Sequence, residues 1–172
     1  EVNNEKLSEL DLKPGDVCLV EEARAKALLE ELKSLGVKIQ PGGSAANTIA
    51  GIAYLGGSAL FCGMVSEDVH GKRYEKDMKN LGVNTKIEKI KEGITGHTIT
   101  FITPDSQRTF ATHLGSCINF KKEHLNVEDI KNSKILHLEG YQLADPKLRD
   151  SVMHAMKIAK EKNNKVSIDV NS

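Results

Sequence analysis

Residues 40–57 combine two adjacent glycines with the start of an apolar helix, a pattern able to hold a small molecule. The segment reads QPGGSAANTIAGIAYLGG, in which Gly42 and Gly43 come shortly before Asn47. Adjacent glycines let a backbone lie close against a bound molecule. A helix that begins directly behind them offers unpaired N–H groups to an oxygen-rich ligand. The pattern predicts a binding corner at these glycines, and a tight turn followed by a core helix stays open as the alternative.

The other reactive side chains form no recognised catalytic or metal-binding motif. The sequence contains no GxxxxGK[ST], GxGxxG, HExxH or GxSxG. The histidines are scattered, although His97 and His113 are expected to approach each other from opposite strands of a hairpin. Two histidines lack the remaining ligands of a zinc site, so no metal site is expected. The three cysteines, Cys18, Cys62 and Cys117, are widely spaced, which favours free thiols in a reducing cytosol.

The composition is that of a soluble globular protein without a strong overall charge. The chain has 172 residues, of which 39% are hydrophobic and 28% are charged, and Lys+Arg equals Asp+Glu at 24 each. This balance provides no bulk positive field for nucleic acid or an acidic membrane, so neither is expected as a partner. No apolar run is long enough for a membrane span, and the first residues contain no signal-peptide core. We therefore expect a cytoplasmic location.

The hydrophobic periodicity predicts helices and strands in alternation, interrupted by one antiparallel hairpin. Alternation of this kind is typical of a layered α/β structure. The helix 145–162 has Asp145 as its expected N-cap and Pro146 as its first residue. The predicted strands are 17–20, 58–62, 83–90, 134–138 and 166–170, and the other predicted helices are 22–35, 72–81 and 123–130, with a loop at 63–71.

The hairpin pairs residues 96–103 with residues 108–114 across the turn PDSQ. Side chains alternate between the two faces of a strand, so Thr98 shares a face with Thr100, and Phe110 shares one with Thr112 and Leu114. A face on which threonines alternate with apolar residues suits a partly polar ligand. An exposed edge sheet is the alternative.

Four segments, taken in order, resemble the ribokinase family, also called the PfkB carbohydrate kinases. They are PGGSAAN, GMVSEDVHG, TGHTITFITPDSQRTFATHLGSC and HLEGYQLADP, and the last two resemble the adenosine-kinase-like branch. The resemblance covers residues 17–169. Ile49 and Ser66 depart from the family signature, at a helix-packing position and a turn position respectively.

The resemblance implies a three-layer α/β/α ribokinase-like core, incomplete in this chain, with a small β-sheet lid. It places all 172 residues in one incomplete domain, with lid elements at about 1–20 and 94–114 and the α/β core at about 41–90 and 120–172. The implied activity is ATP-dependent phosphorylation of a primary hydroxyl of a sugar or nucleoside, with ATP and Mg²⁺ as cofactors. This chain would supply the sugar-binding side and the lid.

The resemblance also implies the residues that contact substrate. Gly42 and Gly43 would pack against the sugar, and Asn47 would hydrogen-bond its hydroxyls. The implied lid contacts are Thr98, Phe110, Thr112 and Leu114, joined by Tyr141 as an aromatic wall and Arg108 as a phosphate contact. An exposed, solvated Arg108 and a local capping role for Asn47 are the alternatives.

The GAGD segment that supplies the family's catalytic base does not occur in this sequence. No catalytic residue is therefore assigned, and the nucleotide and Mg²⁺ sites are expected mostly outside this chain. One hypothesis is that the chain is part of a longer, active kinase. The other is a non-catalytic fragment or pseudo-kinase that binds a polyol or forms a homodimer through the lid sheet.

Overall fold

The computed structural model describes residues 1–170, whose strands form three small sheets. One sheet has the order β1-β5-β4, with β1 parallel and β4 antiparallel to β5, and we call it the lid sheet. The other two sheets are parallel pairs, β2 with β3 and β6 with β7. The strands are β1 (Val17–Leu19), β2 (Leu60–Ser66), β3 (Asn84–Ile90), β4 (His97–Ile102), β5 (Arg108–His113), β6 (Ile135–Glu139) and β7 (Lys165–Asp169).

Two N-terminal helices cover one face of the lid sheet. They are α1 (Asn4–Glu9) and α2 (Glu22–Leu32), and a 3₁₀ turn at Lys33–Leu35 follows α2. Asn3 caps α1 by accepting a hydrogen bond from the Lys6 N–H at 2.9 Å. Gly36 ends the second helical segment with φ 70°, as predicted.

Alternation along the lid strands places apolar side chains against these helices. Ile99, Phe101 and Ala111 are buried with Leu7 and Leu28 in one hydrophobic cluster. The side chains at the alternate positions of each strand point to the outer face, where Val17 is 71% and Leu19 is 70% exposed. The lid sheet therefore has one packed face and one open face.

The remaining helices accompany the parallel pairs. Ala46 on α3, Met78 on α4 and Val83 before β3 form a buried cluster, and Phe61 packs against it. These helices are α3 (Ser44–Tyr54), α4 (Val69–Asn80), α5 (Val127–Asn132), α6 (Tyr141–Ala144) and α7 (Pro146–Glu161), with 3₁₀ turns at Gly115–Asn119 and Lys122–His124. None of the helices within residues 1–170 has both the length and the apolar character needed to cross a membrane.

Several predicted elements have different bounds in the structure. The loop predicted at 63–71 is wrong at both ends, because β2 continues to Ser66 and pairs with β3 up to Ile90, and α4 begins at Val69 instead of residue 72. The helix predicted at 123–130 begins too early. Asn126 accepts hydrogen bonds from the N–H groups of Glu128 and Asp129, which starts α5 at Val127 instead.

Candidate functional site

The glycine corner lies at the start of α3 and is open to solvent. Gly43 is the residue before the helix and has φ 101°, a left-handed conformation that side chains disfavour. A Cβ added at Gly42 or Gly43 would meet no atom within 4 Å. Since Gly43 has no side chain, it cannot cap the helix, and α3 starts without a side-chain cap. The corner thus presents accessible backbone and the positive end of a helix dipole.

Asn47 lies on the first turn of α3 with an exposed side chain. Its backbone N–H donates to the Gly43 carbonyl oxygen at 2.9 Å, as helix geometry requires. The side-chain amide forms no hydrogen bond with any residue in the described part of the chain, so it caps nothing locally. This leaves two N–H donors and one carbonyl acceptor available to a ligand.

The open face of the lid sheet carries most of the other predicted residues. Thr98 and Thr112 are paired across β4 and β5, and their hydroxyl oxygens lie 3.1 Å apart. Phe110 pairs with Thr100 on β4 and with Val17 on β1. The face therefore combines hydroxyl groups with aromatic and aliphatic surface, as the sequence predicted for a partly polar ligand.

Arg108 lies at the start of β5, beside Phe110. The central carbon of its guanidinium is 5.9 Å from the centre of the Phe110 ring, a cation–π contact. Arg108 is exposed. The guanidinium thus sits at the rim of the open face, with its charge available to an anion.

A cleft of about 290 Å³ opens where β1 and β5 end. Leu19, Thr112 and Leu114 line it, so it is continuous with the open face of the lid sheet. Ser116 also lines the cleft; it is 2% exposed, and its hydroxyl has no hydrogen-bond partner in the described structure. A buried hydroxyl without a partner is available to a ligand that reaches it.

Glu22 contributes a carboxylate to the wall of this cleft. The hydrogen bond from Lys26 holds the pKa of Glu22 below its ordinary value. The Glu22 carboxylate is therefore ionised at neutral pH and paired with the Lys26 ammonium group.

Tyr141 is placed on a third element. It is the first residue of α6, directly after β6, and is 60% exposed. No hydrogen bond or ring contact in the described part of the chain joins it to the glycine corner or to the lid face. The helix α3, which carries Asn47, packs against β6, the strand that leads into Tyr141.

The expected approach of His97 and His113 occurs across β4 and β5. Their ring centres are 5.8 Å apart, and His70 stacks on His97 at 6.3 Å. Nδ1 of His97 lies 3.0 Å from the Thr95 carbonyl oxygen, and Nδ1 of His113 lies 3.0 Å from that of Val20. Within residues 1–170 no group of three or more His, Cys, Asp and Glu side chains is arranged to hold a metal.

Sequence reasoning missed the residues that connect the hairpin to the rest of the chain. Asp68 caps α4 by accepting from the Gly71 N–H at 2.7 Å, and it also accepts from the Thr95 N–H at 2.8 Å and the Thr95 hydroxyl at 2.7 Å. Partial burial raises the pKa of Asp68, but these hydrogen bonds outweigh it and hold the pKa below its ordinary value. The signal in the sequence is an Asp immediately before a helix, which the predicted loop obscured.

Residues of α4 also contact the backbone that leads into the glycine corner. Nη2 of Arg73 donates a hydrogen bond to the Ile39 carbonyl oxygen at 3.0 Å. The Tyr74 hydroxyl donates one to the Gly42 carbonyl oxygen at 3.4 Å. Burial raises the pKa of Tyr74 to about 12, so the hydroxyl keeps its proton. The sequence contains no motif that would have indicated these contacts.

The pattern of the pfkB family carbohydrate kinases matches residues 15–172. Probable fructokinase-3 of Arabidopsis thaliana is 28% identical over 142 residues, which are 81% of this chain and 41% of that protein. A 5-dehydro-2-deoxygluconokinase of Clostridium botulinum is 30% identical over 142 residues, 80% of this chain and 42% of that protein.

Among solved structures, the adenosine kinase from Sinorhizobium meliloti superposes with a TM-score of 0.86 at 29% identity. The superposition covers 97% of this chain and 51% of that kinase, so the chain spans about half the length of the kinases it matches. The α/β fold with a small lid sheet is therefore the ribokinase-like fold predicted from the sequence. The chain belongs to the pfkB family of carbohydrate kinases and spans only part of the length of its relatives.

Proposed function

We propose that the protein to which this chain belongs is an ATP-dependent phosphotransferase that phosphorylates a primary hydroxyl of a sugar or nucleoside. In this proposal, the chain supplies the sugar-binding side and the lid. Membership of the pfkB family supports the reaction class. The names of its relatives, fructokinase, 5-dehydro-2-deoxygluconokinase and adenosine kinase, support a sugar or nucleoside as the class of substrate.

The observation that carries the proposal is the open face of the lid sheet. Threonine hydroxyls on this face can hydrogen-bond sugar hydroxyls, and the Phe110 ring can cover the apolar side of a sugar or base. The face continues into the cleft lined by Thr112 and Leu114. A substrate held there would be shielded from water, which phosphoryl transfer to a sugar requires if hydrolysis is to be avoided.

The glycine corner is proposed as the second wall of the substrate site. Its accessible backbone suits a sugar lying flat against it, and the free amide of Asn47 can both donate to and accept from a diol. Tyr141 is proposed as an aromatic wall, and Arg108 as a contact to the transferred phosphate.

ATP and Mg²⁺ are proposed as cofactors on the basis of the family. Residues 1–170 contain no group of His, Cys, Asp and Glu side chains suited to hold a metal, and the sequence has no GAGD segment. We therefore assign neither the metal ligands nor the catalytic base to this chain. Its residues would bind and orient the sugar, and its lid would exclude water.

The proposal is tested by expressing the complete reading frame that contains this chain. ATP-dependent phosphorylation is measured on fructose, ribose, 2-keto-3-deoxygluconate, 5-dehydro-2-deoxygluconate and adenosine. We expect turnover on at least one of them. Absence of turnover on every sugar and nucleoside would refute the proposal.

The exposed apolar side chains of β1 favour a second candidate, a homodimer formed through the lid sheet. Val17 and Leu19 are 71% and 70% exposed on the outer face. Sedimentation velocity tests this candidate, with Leu19→Lys as the variant expected to dissociate a dimer. A wild-type protein that sediments as a monomer at all concentrations would exclude the lid dimer.

We further propose a cytoplasmic location for the protein. Cys18, Cys62 and Cys117 are all free thiols, which a reducing compartment maintains. Cell fractionation followed by immunoblotting tests this proposal, and recovery outside the cytoplasmic fraction would overturn it.

A further inference from the structure

Helix α4 has separate contacts with the two parts of the proposed substrate site. At its N-terminal end, Asp68 binds both the N–H and the hydroxyl of Thr95, two residues before β4. One turn along the helix, Arg73 and Tyr74 bind the backbone carbonyls of Ile39 and Gly42. The same helix therefore contacts the root of the lid sheet and the approach to the glycine corner.

The root of the lid sheet is rigidly built around Thr95. Thr95 is 5% exposed, and its hydroxyl oxygen also accepts a hydrogen bond from the Ser66 N–H at 3.1 Å. Ser66 in turn donates its hydroxyl to the Glu92 carbonyl oxygen at 3.2 Å. Each polar group in this network has a partner, so the orientation of the backbone at Thr95 is strongly determined.

Both chain segments that connect the hairpin to the core pass through this root. The Ser116 N–H donates to the Ile94 carbonyl oxygen at 3.0 Å, which joins the outgoing segment to the incoming one. A Cβ added at Gly96 would collide with the Leu114 carbonyl oxygen, and one added at Gly115 would collide with the backbone of Gly96. The two segments are in direct backbone contact, so a rotation at Thr95 would move the whole lid sheet.

The contact one turn along the helix, at Tyr74, is held by aromatic packing. Tyr74 packs edge-to-face on Phe61, with ring centres 6.0 Å apart, and lies against the buried cluster that includes Ala46 of α3. Its hydroxyl reaches Gly42 from this fixed position. The packing therefore sets the distance from α4 to the glycine corner.

We propose that Asp68 and Tyr74 are positioning residues, through which α4 holds the lid sheet and the glycine corner at the separation that the substrate requires. The proposal rests on the proposed kinase function. Neither residue needs to touch the substrate. Asp68 acts through Thr95 on the lid side, and Tyr74 acts through Gly42 on the corner side.

Substitutions at Thr95 test the lid side in the complete protein. Thr95→Val keeps the shape but removes the hydroxyl, which leaves Asp68 and the Ser66 N–H each without one partner. We expect KM for the sugar to rise about tenfold with kcat changed less than about threefold, because the bound geometry is reached less often. Thr95→Ser restores the hydroxyl and is expected to return KM to within about threefold of wild type.

Asp68→Asn provides the second test, with Glu75→Gln as its matched control. Both changes replace a carboxylate by an amide on or next to α4, but Glu75 pairs with Lys79 and Lys89 instead of the lid root. We expect Asp68→Asn to raise KM about tenfold and Glu75→Gln to leave it within about twofold. A merely structural loss would lower the folded fraction and hence kcat, and it would leave KM unchanged.

Tyr74→Phe tests the corner side, with the 88% exposed Tyr54 as the site of the control variant Tyr54→Phe. We expect a KM increase of about threefold for Tyr74→Phe and none for the control, since the lost hydrogen bond is long. Combined with Thr95→Val, its effect should be smaller than the product of the two single effects. The reason is that the separation is already lost once either end is released.

The outcomes separate this proposal from the proposed function. A wild-type protein that phosphorylates no sugar or nucleoside refutes the function. An active wild type whose Thr95→Val and Asp68→Asn variants keep a wild-type KM refutes the positioning role alone. Equal KM changes in Asp68→Asn and Glu75→Gln would also refute it.

Discussion

The glycine corner and the lid root both depend on glycine, for opposite physical reasons. At the corner, Gly42 and Gly43 have no neighbour that an added Cβ would meet within 4 Å. At the root, Gly96 and Gly115 are in contact with backbone atoms on the other side of the junction. At the corner the Asn47 side chain is exposed and has no partner within residues 1–170, whereas at the root Thr95 is buried and its N–H and hydroxyl are hydrogen-bonded. We therefore expect substitution of a root glycine to affect stability and substitution of the exposed Asn47 to affect ligand binding.

Gly96→Ala is the substitution with the largest expected effect. The added methyl group would overlap the Leu114 carbonyl oxygen, and neither backbone segment can move without breaking the junction. We expect the free energy of unfolding to fall by about 3 kcal/mol, measured by urea denaturation of the complete protein. Gly42→Ala is the matched control and should change it by less than about 0.5 kcal/mol. Equal stabilities of the two variants would contradict the comparison.

Asn47→Ala is expected to have the opposite profile. Its exposed amide has no partner within residues 1–170, so removing it should change the free energy of unfolding by less than about 0.5 kcal/mol. If it binds the sugar, kcat/KM should fall about thirtyfold, equivalent to about 2 kcal/mol of lost transition-state stabilisation. Steady-state kinetics measure this effect, with Asn80→Ala at the end of α4 as the control. Full activity of Asn47→Ala would remove this residue from the proposed site.

The pH dependence of stability tests the charge at the lid root. The pKa of Asp68 is lowered in the folded state, so its ionised form stabilises the protein above the unfolded pKa, and this contribution disappears as the pH falls through the folded pKa. At pH 7 we expect Asp68→Asn to unfold about 1–2 kcal/mol more easily than wild type. Urea denaturation at several pH values should show this difference shrinking below about pH 4. A difference that stays constant down to acid pH would mean that the ionised carboxylate is not responsible.

Arg108→Ala is expected to have only a small effect on stability. Its guanidinium is exposed and contacts the Phe110 ring at 5.9 Å, an interaction worth about 0.5 kcal/mol at a surface. Thermal unfolding should therefore be nearly unchanged. A rise in KM for ATP or for the sugar would assign Arg108 to the phosphate or to the sugar respectively. Unchanged kinetics would support a solvated surface arginine.

Local sequence rules predicted the elements whose interactions lie within a few residues. Asp145 caps α7 by accepting from the Lys147 and Leu148 N–H groups, and Pro146 is its first residue, as expected. The hairpin forms with the predicted strands, and its period of two separates a buried face from an open one. The short helix α6 was not predicted, because its four residues carry too little periodic pattern.

The sequence by itself determined the α/β class, the family, the open face of the hairpin and the glycine corner. Each depends on residue types at short, regular spacings, which are visible in a linear chain. Only the tertiary structure decided that Asp68 binds Thr95, 27 residues away, and that Tyr74 reaches Gly42, 32 residues away. Such contacts have no characteristic spacing, because they depend on how α4 packs on the paired strands β2 and β3. The elements that carry the proposed binding surfaces, and α4 itself, were therefore predictable from the sequence, but the contacts through which α4 connects them were not.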